Sequence, residues 1–142
     1  MSDVLQRATI HLTPYAVLFI RLAFGMHLIL YSYEDIFSLK AGDNGAPFLA
    51  QLGFPLPYLM AWLYVSTEFL GGLSLLTGFK TRWFSLPLIL LFLVAIFVVH
   101  WQDPYSKTFD ALHMLAVSFF FLFNGSGVWS VDSWLAKQMG NS

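Results

Sequence analysis

Residues 58–79 have the sequence YLMAWLYVSTEFLGGLSLLTGF, an apolar stretch interrupted by one charged residue, Glu68. About 20 mainly apolar residues are needed for a helix to cross the hydrocarbon core of a bilayer. The stretch has that length, so it predicts a membrane-spanning helix. A charge in the middle of such a helix costs about 2.5–3.5 kcal/mol. Glu68 therefore needs either a partner or a function that repays this cost.

The composition of the whole chain favours a membrane protein. Of its 142 residues 58% are hydrophobic and 11% are charged, whereas soluble domains carry about 25% charged residues. The net charge of −1 gives no basic footprint for nucleic acid. The chain has no cysteine, which excludes disulfides and thiolate metal sites. The N-terminal residues MSDVLQRATIHLTPYAVLF lack a small-residue cleavage pattern, so we expect a retained first helix rather than a cleaved signal peptide.

Four stretches have the length and polarity of a span: 14–33, 58–79, 83–101 and 111–129. Pro14 suits the first turn of the first helix, where its missing N–H costs nothing. The short connection KTR, residues 80–82, predicts antiparallel neighbours. Short interfacial helices are expected at FLAQLGFP in the first loop and at SWLAKQM near the C-terminus, the latter capped by Ser130 or Asp132. The predicted fold is all-α, a single domain over residues 1–142 that forms a membrane four-helix bundle.

The distribution of basic residues predicts the orientation of the bundle. The N-terminal tail, the second connection and the C-terminal tail hold Arg7, Lys80, Arg82 and Lys137. The other side holds only Lys40 and Lys107. Cytoplasmic loops are enriched in Lys and Arg. Both termini are therefore expected in the cytoplasm, and the protein is expected in the cytoplasmic (inner) membrane as a multi-pass protein.

Two charged residues fall inside the spans. Arg21 lies about 10 Å from one face of the membrane and Glu68 about 15 Å from the other, at 1.5 Å per residue in a slab of about 30 Å. Their similar depth predicts an Arg21–Glu68 ion pair. Gly25, Gly71 and Gly72 would allow the two helices to approach closely. The pair would either hold the helices in register, or Glu68 would bind a proton, a cation or a polar head group.

Several polar residues lie towards the opposite, outer side of the predicted bundle. The candidate ligand pocket consists of His27, Tyr31, His100, Asp110 and His113. Asp110 and His113 share a helical face because they are three residues apart. The three interpretations are a metal or haem site, a polar pocket for a quinone-like or lipid-like ligand, and simple packing. The spacing matches no established metal motif, and phosphate-binding loops and hydrolase motifs are lacking as well.

Four stretches resemble the DoxX family of small four-helix membrane proteins: FIRLAFGMHLILYSYEDIF (19–37), LGFPLP (52–57), EFLGGLSLLTGFKTR (68–82) and NGSGVWSVDSWL (124–135). The resemblance is carried in the first helix by Arg21, Leu22 and Gly25. It is carried in the second by Glu68, Gly71, Gly72, Gly78 and Arg82. A C-terminal motif carries the rest, with Gly125, Gly127, Ser130 and Asp132.

One part of the family pattern is replaced here. Many members have a glycine and a lysine after the first helix, whereas this chain has Ser32, Tyr33, Glu34 and Asp35. His27 and His113 lie outside the pattern, so the resemblance does not support them as ligands.

The resemblance implies a four-helix bundle in the cytoplasmic membrane. Some relatives resemble small subunits of quinone-linked sulfur oxidation or terminal oxidase systems, and others associate with oxidative-stress proteins. The expected function is thus an accessory, non-catalytic membrane component that binds a partner protein or a small apolar ligand such as a quinone. Two alternatives are a quinol-oxidising enzyme subunit, with haem as a further cofactor, and a proton-coupled transporter that uses Glu68. The expected partners are the lipid bilayer, a membrane redox protein and further copies of the chain.

Overall fold

A computed structural model of the chain describes residues 2–140, with side chains described from residue 13 onward. These residues form six α-helices and no β-strand. The helices are α1 (Ser2–Phe37), α2 (Ala41–Gln51), α3 (Pro57–Thr77), α4 (Thr81–Val94), α5 (Tyr105–Asn124) and α6 (Val131–Met139). A π-helical segment, Ala95–Val99, extends α4. The all-α prediction is confirmed.

Four helices are long and apolar enough to cross a membrane: Thr13–Phe37, Pro57–Thr77, Thr81–Val99 and Tyr105–Asn124. In the bundle α3 packs against α1 and α4, and α4 packs against α5. The short helix α2 lies on α3. The four predicted spans are therefore present and follow one another around the bundle.

The first and fourth spans differ from the predicted bounds. Pro14 lies inside α1, which continues on both sides of it, rather than opening the helix. The fourth span begins at Tyr105 and ends at Asn124, six and five residues earlier than predicted. Its start follows Pro104, whose extended backbone precedes the helix. Its end is set by Gly125, whose φ of +72° is favourable only for glycine.

Both short helices are present, and one is displaced. The first-loop helix covers Ala41–Gln51, so it begins seven residues before the predicted FLAQLGFP segment. Asp43 in its first turn complements the helix dipole, and Gly53 with φ +77° follows its end. In α6 the N-cap is Ser130, which forms a capping box with Ser133. Of the two predicted caps, Ser130 is confirmed and Asp132 is not the cap.

The surface of the bundle is apolar. Phe19, Leu30, Trp83 and Phe123 are each at least 68% exposed. The most buried side chains include Leu28, Leu75, Leu88, Phe92 and Phe121. Monomeric soluble proteins rarely expose so many large apolar side chains together. The outer surface is therefore suited to lipid, as expected of a multi-pass membrane protein.

Helices α1 and α3 touch through two glycines. A Cβ atom added to Gly25 would lie 3.0 Å from the carbonyl oxygen of Gly72, and one added to Gly72 would lie 2.9 Å from the carbonyl oxygen of Gly25. The close approach predicted for these helices is therefore observed at Gly25 and Gly72. Gly71 contacts a different helix, since its Cβ would lie 2.7 Å from Leu88 of α4. The adjacent glycines Gly71 and Gly72 thus let α3 pack closely against two helices, α4 and α1.

We expect Gly72→Ala to lower the free energy of unfolding by about 1–3 kcal/mol, because the new methyl group would meet the backbone of α1 and force the helices apart. Unfolding in mixed detergent micelles measures this change. Gly140→Ala is the matched control, since its Cβ would meet nothing nearer than 3.4 Å. Equal stability of the two variants would contradict the close α1–α3 contact.

Candidate functional site

Arg21 is buried at one end of the bundle, where only 3% of it is exposed. Its Nη1 donates a hydrogen bond of 2.6 Å to the carbonyl oxygen of Ser126. Its Nη2 donates to the carbonyl oxygen of Trp129. Both acceptors lie in the loop 125–130 that joins α5 to α6. Hydrogen bonds to charged groups contribute about 1.5–3 kcal/mol each, so Arg21 is a principal tie between α1 and this loop.

Asp132 ties the same loop to the α3–α4 turn. Its carboxylate accepts hydrogen bonds from the backbone N–H of Lys80 at 2.9 Å and from the hydroxyl of Ser126 at 3.2 Å. The N–H of Asp132 donates to the carbonyl oxygen of Gly78. Ser130, besides capping α6, donates its hydroxyl to the carbonyl oxygen of Gly127. Through these hydrogen bonds the C-terminal motif connects α1, the α3–α4 turn and α6.

The predicted Arg21–Glu68 ion pair is not formed. Among the described side chains, the ion pairs join Asp103 to His100 and to Lys107. Helical side chains tilt towards the N-terminus of their own helix, so in the antiparallel α1 and α3 these two side chains point towards opposite faces of the membrane. The Arg21 guanidinium lies against Gly78, ten residues from Glu68 and thus about 15 Å further along α3.

Glu68 remains buried within α3, with 3% of the residue exposed. Its Oε2 atom has no hydrogen-bond partner among the residues that the structure describes. Tyr64, one turn earlier on α3, lies near the Glu68 carboxyl group and near Tyr31 of α1. The sequence singled out Glu68 correctly as an unusual residue. The structure gives it Tyr64 as a neighbour in place of the predicted arginine.

A groove between α1 and α5 brings together three residues of the predicted ligand pocket. It has a volume of about 330 Å³, and His27, Asp110 and His113 supply its polar groups. Its apolar walls come from Ala23, Phe24, Phe109 and Met114. Small-molecule sites commonly have volumes from about 300 Å³ upward and combine apolar walls with a few polar groups. This groove has both properties.

His113 is oriented by a local hydrogen bond. Its Nδ1 lies 2.7 Å from the carbonyl oxygen of Phe109, and a carbonyl can only accept, so Nδ1 carries a proton. Nε2 is therefore left to accept a hydrogen bond from a ligand when the ring is neutral, or to donate one when it is protonated. The Phe109 ring lies 3.9 Å from the His113 ring. Phe24 and Phe109 were not predicted as site residues, although their helical spacing from His27 and His113 places each pair on one face.

Two members of the predicted pocket lie outside the groove. Tyr31 stacks with His27 at 6.2 Å between ring centroids, but it is 67% exposed and faces Tyr64. His100 lies beyond the π-helical segment, where its Nδ1 is 2.8 Å from Asp103. That hydrogen bond holds the pKa of the Asp103 carboxyl below its usual value. Within the part of the chain whose side chains are described, no three His, Asp or Glu residues are grouped so that they could hold a metal ion.

Comparison with known proteins gives one family match. The model of the DoxX family matches residues 16–101, which is more than half of the chain. The matched residues include Arg21, Glu68 and the glycines between α1 and α3, whereas the motif at residues 125–132 lies outside them. A search of curated proteins and a search of solved structures gave no match.

Proposed function

Since the chain belongs to the DoxX family, we propose that it binds a quinone-type ring in the groove between α1 and α5 and serves a quinone-linked redox process as an accessory component. In this proposal residues 1–142 form a single domain that spans the cytoplasmic membrane, with both termini in the cytoplasm. The observation that carries it is the joining of His27, Asp110 and His113 in one apolar-walled groove.

The chemistry of the groove suits a quinone head group. A quinone ring presents apolar faces and two carbonyl oxygens at opposite ends. Phe24, Phe109 and Met114 would contact the faces. His113 Nε2 would accept a hydrogen bond from a quinol hydroxyl when neutral and donate one to a quinone carbonyl when protonated. Binding a quinone requires only these contacts. The resemblance to small subunits of quinone-linked systems supports a role in a redox process.

We expect the purified protein in lipid nanodiscs to bind decylubiquinone and decylubiquinol, and His113→Phe to weaken binding of the quinol about tenfold. This substitution keeps a ring in place but removes the hydrogen bond, which is worth about 1–1.5 kcal/mol. Ala23→Trp, which fills the groove, should abolish binding. Titration calorimetry measures both effects.

His100→Phe is the matched control, since His100 lies at the same end of the bundle but outside the groove. It should bind decylubiquinone as the unchanged protein does. Binding that survives Ala23→Trp would contradict the groove as the site. Transfer of electrons from decylubiquinol to an added artificial acceptor, catalysed by the purified protein, would instead favour the alternative of a catalytic subunit.

A further inference from the structure

A second cavity lies at the opposite end of the bundle, where the α3–α4 turn meets the α5–α6 loop. It has a volume of about 480 Å³. Its lining residues are Lys80, Arg82, Trp83, Asn124, Gly125, Ser126, Gly127, Asp132 and Ser133. None of these residues belongs to the groove proposed for the quinone.

The cavity lies at the depth of lipid head groups. The turn that lines it joins two membrane-spanning helices, Pro57–Thr77 and Thr81–Val99, and the loop follows the end of a third at Asn124. Trp83 and Trp129, which are 73% and 58% exposed, stand at the same end. Tryptophan is enriched at the membrane–water interface. A molecule in this cavity would therefore meet both water and the first part of the acyl chains.

The cavity carries basic side chains that lack acidic partners. Neither Lys80 nor Arg82 takes part in an ion pair, since those among the described residues are at Asp103. One Nη2 hydrogen bond of 3.3 Å holds Arg82 to the carbonyl oxygen of Phe123. The side chain lies over Gly125, whose missing Cβ would be 3.1 Å from its Nε. The other N–H donors of this guanidinium are available to a ligand.

The acidic residue of the cavity is already engaged. Asp132 accepts hydrogen bonds from the Lys80 backbone and from Ser126, and among the described residues it forms no ion pair with Lys80 or Arg82. This leaves Lys80 and Arg82 as uncompensated cations. Arginine and lysine are the side chains that most often bind phosphate, the former through its planar fork and the latter as a point charge.

We propose that this cavity binds the phosphate group of an anionic phospholipid, with phosphatidylglycerol as its occupant. Arg82 and Lys80 would contact the phosphate, and Trp83 would lie beside the glycerol backbone. The site would fix one lipid between the α3–α4 turn and the C-terminal motif. It is separate from the quinone groove in both position and chemistry.

Native mass spectrometry of the detergent-solubilised protein tests this, with dioleoyl phosphatidylglycerol and dioleoyl phosphatidylcholine added in equal amounts. The unchanged protein should retain phosphatidylglycerol preferentially. A basic residue beside an anionic lipid surface contributes about fivefold in affinity, so the double variant Lys80→Gln/Arg82→Gln should lower this preference at least about tenfold. Both residues are exposed, so we expect the variant to fold.

Lys107→Gln is the matched control, because Lys107 is an exposed cation at the other end of the bundle. It should leave the lipid preference unchanged. Equal retention of both lipids by the unchanged protein would overturn the proposal, as would an equal loss in the control variant. Binding of inorganic phosphate without any retention of phosphatidylglycerol would also overturn it, since the ligand would then be a phosphate from solution.

Discussion

Replacing Arg21 with methionine is expected to lower the free energy of unfolding by about 3 kcal/mol or more. Two charge-assisted hydrogen bonds are lost, and the carbonyl oxygens of Ser126 and Trp129 lose their donor near the membrane boundary. Unfolding in mixed detergent micelles measures the loss. Hydrogen exchange should rise in the loop 125–130 and in α6, whereas α3 around Glu68 should keep its protection.

Two further variants of this experiment identify the cause. Arg82→Met removes an exposed cation at the same end of the bundle and should cost less than about 1 kcal/mol. Arg21→Lys should be intermediate, because a single ammonium group lacks the planar fork that contacts both carbonyls. The contrary result is that Arg82→Met lowers the free energy of unfolding as much as Arg21→Met does. That result would show that positive charge at this end of the bundle, rather than the hydrogen bonds from Arg21 to the loop, provides the stability.

A double-mutant cycle distinguishes the observed contacts from the ion pair expected from the sequence. If Arg21 and Glu68 are independent, Arg21→Met and Glu68→Met should change stability additively within about 0.5 kcal/mol. A direct pair would instead give a coupling energy well above 1 kcal/mol. Such coupling would contradict the separate surroundings of the two residues in the structure.

The sequence was sufficient for the spans because length and hydropathy alone determine them. It also identified Gly25 and Gly72 as packing residues of α1 and α3, although Gly71, which it grouped with them, packs on α4 instead. It was insufficient for the partners of Arg21, which are backbone carbonyls more than 100 residues away. Every residue has a carbonyl oxygen, so no side-chain pattern marks the two that Arg21 binds. The similar depth of Arg21 and Glu68 in the membrane suggested that they form a pair. Depth alone, however, does not give the direction in which each side chain tilts along its helix.

The polar residues near the α1–α5 groove were likewise predictable only in part from the sequence. Their common side of the membrane follows from the order of the spans, so His27, Asp110 and His113 were identifiable from the sequence. Which of the three histidines share a groove depends on helix rotation and on where α5 begins. Because it starts early, at Tyr105, Asp110 lies in its second turn and His113 in its third, and both line the groove with α1. His100, beyond the π-helical segment, contacts Asp103 instead.

Replacing Glu68 with methionine is expected to raise the free energy of unfolding by about 2 kcal/mol. The carboxyl group is buried, its Oε2 lacks a partner, and Arg21 does not compensate its charge. An apolar side chain of similar volume removes the cost of burial without opening a cavity.

The control is Glu34→Met, an exposed carboxylate near the end of α1, which should change stability by less than about 0.5 kcal/mol. A gain at position 68 alone would mean that the chain carries this carboxylate at the expense of stability. A side chain kept at such a cost is more readily explained by function than by packing. If Glu68→Met instead lowers stability by more than about 1 kcal/mol, the carboxyl group has a strong partner in the membrane, which would contradict the unpartnered Oε2 of the structure.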